Sequence, residues 1–352
     1  MRITLKTALL FVSFLCAGLM AVDNTQAVEK NKAKSVAQKN KAKPVVQKYK
    51  VAPVALKGKT VLSARKKSSA PILASGAQSW PDTGRLAVLS GSALVIDQTV
   101  GGALYQKNAD LVAPIASITK LMTAMVVLDS APNLQSLITI SDDDVDYLRG
   151  SRSRLHVGSV MTRESALLLA LMSSENRAAN ALARHYPGGM LAFLAAMNNK
   201  AQELGMRDTH FDDPTGLTSN NVSTANDLAR MVSAAHKYPL IRELSTTPEA
   251  TVDISGREMA YRNTNPLVKS SDWDVGLSKT GYIHEAGKCL VMQARVAEKL
   301  VVIILLDSAG KLTRVGDANR IKRWMEKASI HTQASLRKQS TYATLAQENG
   351  SN

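Results

Sequence analysis

Aromatic residues are scarce in this chain of 352 residues. They make up only 4% of it, and three of them are Trp. Carbohydrate-binding modules need exposed aromatic platforms, and proteins that bind single-stranded nucleic acid stack the bases on aromatic rings. The scarcity therefore argues against both classes of protein. A hydrophobic fraction of 45% is ordinary for a globular protein with a sizeable core, and the length suggests one large domain or two modest ones.

Cysteine is almost absent, and one of the two cysteines lies in a targeting segment. Cys16 belongs to an apolar run over residues 7–22, which a basic N-terminus precedes and small residues around Ala27 follow. This order is typical of a cleaved secretion signal, whereas a membrane anchor needs about 20 apolar residues. We predict that residues 1–27 are a signal peptide and that the protein is periplasmic. Cys289 would then remain alone, without an intramolecular disulfide.

Acidic residues are almost missing from residues 28–70. This segment holds thirteen Lys and Arg side chains against Glu29 alone, although the whole chain carries a net charge of only +15. The charge therefore reports a basic tail, and no nucleic-acid partner is expected. Like-charge repulsion with few large apolar groups disfavours packing. We predict that residues 28–83 are a disordered linker, and the alternative is a weak, salt-sensitive contact with anionic envelope polymer.

Metal-ligand patterns are absent as well. The six His residues show no His-Glu-x-x-His spacing. The run Asp142-Asp143-Asp144 lacks the glycine and the final Glu of a calcium loop, so a solvated helix start is favoured there. His284 could line a cleft, but a surface loop position is the simpler interpretation. We expect no metal and no organic cofactor.

Hydrophobic periodicity from residue 84 onward predicts an α+β fold. Two strands are expected first, over 87–96 and 102–105, and helical spacing follows from Ser117 to about residue 236. Later segments alternate or are continuously apolar, so strands are predicted at 251–254, 258–262, 276–282, 289–296 and 300–306, with a closing helix over 313–327. The short links between late strands are compatible only with an antiparallel sheet. Residues 328–352 are predicted to be a polar tail.

A serine and a lysine three residues apart stand at the start of an apolar helix. The residues are Ser117-Ile118-Thr119-Lys120, and the spacing places both side chains on one helix face. A serine hydroxyl is a weak nucleophile that needs an adjacent base, and a lysine with a lowered pKa can be that base. The same spacing recurs from Ser63, Ser308 and Ser335, but none of these three opens an apolar helix.

Two further motifs follow in order along the chain. Ser174-Glu175-Asn176 lies between two predicted helices, where side chains can project from a loop into a cleft. Lys279-Thr280-Gly281 lies in a predicted strand, with a glycine where a substrate backbone could approach closely. The ordered set of three motifs is far more specific than any one of them.

With these motifs the chain resembles the low-molecular-mass penicillin-binding proteins, which are serine D-alanyl-D-alanine peptidases. Within that family, the stretches 114–129, 167–180 and 214–217 are most similar to the endopeptidases. The resemblance covers roughly residues 84–327. It implies the fold shared with β-lactamases, which has a five-stranded antiparallel sheet flanked by helices and a helical subdomain, with the site between them.

The resemblance also implies a role for each motif residue. Ser117 would be the acylated nucleophile, Lys120 its base, and Ser174 a proton relay. Asn176 would bind the substrate amide, Lys279 would supply positive potential that keeps Lys120 partly neutral, and Thr280 would hydrogen-bond the substrate carboxylate. The backbone N–H groups of Ser117 and Tyr282, the residue after Gly281, would form the oxyanion hole.

The expected activity is hydrolysis of D-alanyl cross-links in peptidoglycan through an acyl-enzyme, with β-lactams as covalent inhibitors. The first alternative is a D-alanyl-D-alanine carboxypeptidase that trims stem pentapeptides. Such carboxypeptidases carry a second β domain, and only 28 residues follow Trp324 here. The second alternative is a non-catalytic peptidoglycan-binding or β-lactam-sensing protein, which we would expect to lose a motif residue. A β-lactamase is disfavoured, because residues 212–217 lack its Glu-x-x-Leu-Asn loop.

Overall fold

The structure is a computed structural model that describes residues 86–310 and 312–349, the last fifteen by their backbone alone. The predicted signal peptide and the whole predicted basic linker, residues 1–83, lie outside these residues. No helix in the described part of the chain is long and apolar enough to cross a membrane.

The described residues form eleven strands and seven α-helices. The strands are β1 (Ser92–Asp97), β2 (Ala103–Lys107), β3 (Ala113–Pro114), β4 (Leu137–Thr139), β5 (Val160–Thr162), β6 (Val222–Ser223), β7 (Glu249–Ile254), β8 (Arg257–Arg262), β9 (Asp274–Ile283), β10 (Gly287–Val296) and β11 (Lys299–Ser308). The helices are α1 (Lys120–Asp129), α2 (Arg163–Met172), α3 (Asn176–Arg184), α4 (Gly189–Glu203), α5 (Ala225–Ala235), α6 (Pro239–Thr246) and α7 (Thr313–Asn349).

The central sheet has five antiparallel strands in the order β2-β1-β11-β10-β9, which confirms the predicted fold class. Strands β10 and β11 are joined by a tight turn in which Ala297 and Glu298 both have positive φ values, of 49° and 63°. Positive φ at both central residues matches the twist of a two-residue hairpin. This link is far too short for the crossover that parallel neighbours need.

Both faces of the sheet are covered, which explains the continuous apolar runs in its central strands. Val302, Ile304 and Leu306 of β11 belong to the core that the sheet forms with α1–α6. Val301 and Ile303 point to the other face, against α7. A strand buried on both faces cannot alternate with polar residues, so its sequence reads as one apolar run.

Four predicted elements differ from the structure in their bounds or their pairing. The first strand begins at Ser92 and not at residue 87, because the backbone N–H groups of Leu89 and Ser90 donate to the carboxylate of Asp317 on α7. The segments predicted as strands at 251–254 and 258–262 do form β7 and β8, but they pair only with each other, outside the five-stranded sheet.

The closing helix also differs, since α7 continues to Asn349 and does not end at Lys327. Its apolar periodicity fades after that point, and this is why the pattern predicted an end. The later residues nevertheless include four Ala and three Gln, which are good helix formers, and neither glycine nor proline occurs between Lys327 and Gly350. Helix propensity therefore supports the continuation of the helix beyond Lys327.

Candidate active site

Ser117 lies in a tight turn that leads into α1. Residues Ala116–Thr119 form a single 3-10 turn, and the α-helix continues from Lys120. Ala116 enters the turn with a φ of +50°, a conformation that non-glycine residues rarely adopt. The three-residue spacing then brings Lys120 Nζ to 2.9 Å from Ser117 Oγ. The predicted helical pairing of these two side chains is present.

Lys120 is completely buried, and its hydrogen bonds orient the amine. Nζ donates to Oδ1 of Asn176 at 2.7 Å and to the backbone oxygen of Thr215 at 2.7 Å. Both partners can only accept hydrogen bonds. In the neutral amine, the lone pair is therefore left for the one partner that can donate a proton, the hydroxyl of Ser117. This arrangement suits a base that takes the serine proton.

Burial lowers the pKa of Lys120 to about 7, and the carboxylates of Asp213 and Glu175 partly oppose this effect. Desolvation disfavours the charged ammonium, and nearby negative charge favours it. Near neutral pH a substantial fraction of Lys120 is then an uncharged amine. The cause found here is burial, so the expectation that Lys279 keeps Lys120 neutral remains a prediction.

A second serine and lysine meet where the link between α2 and α3 contacts β9. Ser174 connects α2 to α3 with a φ of +62°, and its Oγ lies 2.8 Å from Nζ of Lys279 on β9. Lys279 Nζ also donates to the backbone oxygen of Thr280 at 2.8 Å. Burial, followed by the positive charges of Lys120 and Arg314, holds the pKa of Lys279 well below its usual range.

Asn176 links Lys120 to the loop that carries Ser151. Its Oδ1 accepts from Lys120, and its Nδ2 donates to Oγ of Ser151 at 3.0 Å. Because Asn176 is the first residue of α3, the helix fixes the position of its side chain. The structure therefore gives Asn176 a part in orienting the lysine, and its expected contact with a substrate amide remains a prediction.

The three residues after Lys279 occupy the edge strand β9. Thr280 donates its hydroxyl hydrogen to Oγ1 of Thr264 at 2.6 Å. A Cβ at Gly281 would lie 2.9 Å from the backbone oxygen of Ile115 and 3.2 Å from the backbone nitrogen of Ser117. The need for glycine here arises from this close approach of two backbone segments, whereas the sequence suggested the approach of a substrate.

Tyr282 is 57% exposed, and its ring lies 3.7 Å below Nζ of Lys288. It follows Gly281, which the previous contacts place next to the backbone nitrogen of Ser117. The edge strand and the nucleophile turn thus run side by side. Whether the N–H groups of Tyr282 and Ser117 act together on an oxyanion stays a prediction.

The loop over residues 213–216 packs against the turn that carries Ser117, a contact that the sequence did not predict. The carboxylate of Asp213 accepts from the backbone N–H groups of Thr215 and Gly216, each at 2.5 Å. Gly216 has a φ of +80°, and a Cβ there would lie 1.8 Å from the backbone oxygen of Ala116. The Asp-Pro-Thr-Gly sequence signals a turn, but nothing local indicates that this turn packs under Ser117.

Arg314 is a second residue that sequence reasoning missed. It lies on α7, and its Nη1 donates to the backbone oxygens of Gly281 and Cys289, at 2.9 Å each. These bonds tie the last helix to the strand that carries Lys279. Cys289 itself is buried, and burial raises the pKa of its thiol to about 11, so the thiol is inert at neutral pH.

The other residues that the sequence raised as candidates have structural contacts or lie on the surface. Ser308 is buried and its Oγ lies 2.7 Å from Oγ of Ser90, so it has a structural partner. His284 is exposed in the turn between β9 and β10. Asp144 is buried in an ion pair with Arg184 at 2.9 Å. Within the described residues, no group of three His, Cys, Asp or Glu side chains could hold a metal ion.

The chain was compared with known protein families and curated proteins. The model of the D-alanyl-D-alanine carboxypeptidase family matches residues 78–310. The chain is 51% identical over 243 residues to a D-alanyl-D-alanine endopeptidase of Pseudomonas aeruginosa, covering 68% of this chain and 78% of that protein. It is 46% identical over 245 residues to a D-alanyl-D-alanine endopeptidase of Escherichia coli, covering 69% and 79%.

The fold was compared with solved structures. The crystal structure of the Streptomyces K15 DD-transpeptidase is similar with a TM-score of 0.64 and 32% sequence identity, over 69% of this chain and 97% of that one. A penicillin-binding protein of Listeria monocytogenes in its ampicillin-bound form gives a TM-score of 0.59 and 29% identity, over 70% and 99%. The five-stranded sheet and the flanking helices are thus a known architecture.

Proposed function

Since the chain belongs to the D-alanyl-D-alanine carboxypeptidase family of serine hydrolases, we propose that it hydrolyses D-alanyl cross-link bonds of peptidoglycan, as a DD-endopeptidase. The observation that carries this proposal is the buried Lys120 amine, 2.9 Å from the hydroxyl of Ser117. The choice of endopeptidase is supported by the names of the relatives at 51% and 46% identity.

In the proposed reaction, Ser117 is the nucleophile and Lys120 is the general base. The hydroxyl proton of Ser117 passes to Nζ of neutral Lys120 while Oγ attacks the carbonyl carbon of the D-alanyl residue. The carbonyl oxygen becomes an oxyanion, which the N–H groups of Ser117 and Tyr282 stabilise. When the C–N bond breaks, the leaving amine receives the proton by way of Ser174.

The product of this first half is an ester between Oγ of Ser117 and the acyl half of the substrate. Water then attacks the ester, Lys120 accepts the water proton, and the proton returns to Oγ as the carboxylate product leaves. One peptide bond and one water are consumed in the cycle. The β-lactam amide reproduces the scissile carbonyl next to a carboxylate, so β-lactams should acylate Ser117 and remain attached.

Lys279, Thr280 and Asn176 serve substrate binding in this proposal. Thr280 turns its hydroxyl hydrogen from Oγ1 of Thr264 to the carboxylate next to the scissile bond. Lys279 contributes positive potential at the same place. Asn176 binds a substrate amide while it orients Lys120. The close contact of Lys279 Nζ with Oγ of Ser174, at 2.8 Å, puts the proton relay beside this potential.

A D-alanyl-D-alanine carboxypeptidase is the second candidate, because the family model that matches the chain carries that description. Digestion of purified sacculi, followed by mass spectrometry of the muropeptides, separates the two activities. Endopeptidase action lowers the amount of cross-linked dimers and leaves pentapeptides intact. Release of D-alanine from monomeric pentapeptides, with dimers unchanged, would reject the endopeptidase. The Ser117→Ala variant is the control and should do neither.

We further propose that residues 1–27 direct export to the periplasm, and that the catalytic domain spans residues 84–327. The thirteen basic side chains of residues 28–70 support a weak contact of the tail with anionic envelope polymer. Such a contact should fade above roughly 0.15 M salt, where the Debye length is about 8 Å. Sedimentation with sacculi over a salt series, with and without residues 28–75, tests this. Equal, salt-insensitive binding of both forms would leave the tail a spacer.

A further inference from the structure

A groove with a volume of about 740 Å³ lies beside the cleft, and arginines dominate its charged lining. Arg152 and Arg154 come from the loop that precedes β5, and Arg262 ends β8. We call this the arginine groove. Its volume lies within the range of roughly 300–1,000 Å³ that is usual for sites of small organic ligands. It is therefore large enough to hold part of a peptide.

The arginine groove adjoins the active site at two segments of the chain. Glu175 lines it, and the residue before Glu175 is Ser174, whose Oγ lies 2.8 Å from Nζ of Lys279. On the other wall, Arg262 is two residues before Thr264, which accepts the hydrogen bond of Thr280 at 2.6 Å. Both walls are thus short extensions of segments that line the site.

The groove favours an anionic ligand. Arg154 is held in place, because its guanidinium lies 3.7 Å over the ring of Tyr261 and donates to the backbone oxygen of Ala260 at 2.8 Å. Glu175, an acid in the same lining, already accepts from Oγ of Ser153 at 2.7 Å. Three guanidinium groups against one hydrogen-bonded carboxylate leave net positive charge.

Two of the arginines are available to a ligand. Arg152 is exposed. The side chain of Arg262 is 81% exposed and lies 3.7 Å from Glu249, which has a closer partner in Lys269 at 2.8 Å. An exposed ion pair of this length contributes little to stability. A ligand carboxylate could replace it with a bidentate contact, which is the geometry that a guanidinium favours.

We propose that the arginine groove binds the carboxylates of the second stem peptide of a cross-linked substrate, on the leaving-group side of the scissile bond. This inference rests on the proposed endopeptidase function, in which Ser174 and Thr280 face the leaving group. If the leaving group is a single D-alanine, it does not extend past Ser174 and Thr280. A leaving stem peptide carries further carboxylates beyond them, and the groove begins there. Arg152 and Arg262 would thus favour cross-linked dimers over pentapeptides.

The test compares kcat/KM for a soluble cross-linked dimer with kcat/KM for a monomeric pentapeptide. In the double variant Arg152→Glu and Arg262→Glu, the dimer-to-pentapeptide ratio should fall at least about tenfold, because two charge-assisted contacts are lost. The loss should appear mainly in KM. The double variant with Lys at both positions should recover most of it. Arg257→Glu, at the far end of the same strand, is the matched control and should keep the wild-type ratio.

A cross-linked dimer whose second stem peptide has amidated carboxylates tests the same contacts from the side of the substrate. Wild-type enzyme should lose the same factor on this substrate, and the double Glu variant should lose nothing more. An unchanged ratio in the double Glu variant, while wild type cleaves dimers, would overturn the groove alone. If wild type releases D-alanine but cleaves no dimer, the proposed function fails and the groove proposal fails with it. The rate of acylation by labelled penicillin shows in each case that the nucleophile is intact.

Discussion

Two serine–lysine pairs meet in the cleft at nearly equal distances but are assembled in different ways. Ser117 and Lys120 are neighbours on one helical turn, with Oγ and Nζ 2.9 Å apart. Ser174 and Lys279 are 105 residues apart, and their Oγ and Nζ are 2.8 Å apart. The first pair follows from local spacing alone. The second exists only because the helices pack against the edge strand, so it is the more specific sign of an assembled site.

The surroundings of the two lysines also differ. Lys120 has two acceptor oxygens on its amine and feels the carboxylates of Asp213 and Glu175, which oppose the effect of burial on its pKa. Lys279 feels the positive charges of Lys120 and Arg314, which add to the effect of burial on its pKa. In the proposed mechanism, the first lysine exchanges protons with Ser117 and the second contributes positive potential around Ser174. Because the pKa of Lys279 is lowered, that potential depends on pH.

The largest expected effect is at the first serine. Ser117→Ala should abolish covalent labelling by penicillin, because in the described part of the chain Ser117 is the one hydroxyl that hydrogen-bonds Lys120 Nζ. Ser308→Ala is the matched control, since Ser308 also precedes a lysine by three residues but contacts Ser90. It should label like wild type. Labelling is read by mass spectrometry of the adduct, and an adduct that persists in Ser117→Ala would exclude Ser117 as the nucleophile.

Removal of the base should be the next largest effect. Lys120→Ala should slow acylation by about 10²–10⁴-fold, which is typical for loss of a general base. In wild type, the acylation rate should fall as the pH decreases through about 7, because the protonated amine cannot accept the serine proton. Stopped-flow measurements of the acylation rate over pH 5–9, with closely spaced values around pH 7, check this. A wild-type profile that is flat across pH 7 would contradict the role of Lys120.

The second lysine should have a smaller effect. Lys279→Ala should slow acylation by about 10²–10³-fold, in the range found for loss of one electrostatic contact to the transition state. Lys279→Arg should lose less, because it keeps the positive charge. Lys279→Arg should keep the inflection near pH 7 that Lys120 gives, whereas Lys279→Ala should move it to higher pH, because the neighbouring positive charge that favours neutral Lys120 is lost. The idea that Lys279 acts through its charge would be untenable if Ala and Arg at this position behaved alike.

The smallest expected effect is at a hydrogen bond that holds the loop next to Ser117 and Lys120. The hydroxyl of Thr123 donates to the backbone oxygen of Pro214 at 2.6 Å, next to the loop that holds Lys120. Thr123→Val should lower the free energy of unfolding by about 1–3 kcal/mol, because a buried acceptor loses its partner. Urea unfolding measures this. Thr251→Val, at an exposed position of β7, is the control and should change stability by less than about 0.5 kcal/mol.

The order of strands and helices, and the antiparallel sheet, could be predicted from the sequence. Apolar runs such as that of β11 indicate burial on both faces, and links as short as Ala297–Glu298 permit only antiparallel neighbours. Two features escaped prediction. The hairpin of β7 and β8 has the same alternation as a sheet strand, yet it pairs apart from the sheet. The start of β1 depends on Asp317, more than two hundred residues away.

The pairing of Ser117 with Lys120 is determined by sequence alone, because a helical turn fixes that geometry wherever it forms. The three motifs could be found for the same reason, as each is a short run with its own residue types. Only the tertiary structure decided what surrounds them. Thr215 accepts from Lys120 through a backbone oxygen, which any residue type possesses, and Gly281 is needed because another backbone segment lies beside it. Contacts made by the backbone leave no signature in the side chains, and burial, which sets the pKa of Lys120, depends on the whole packed fold.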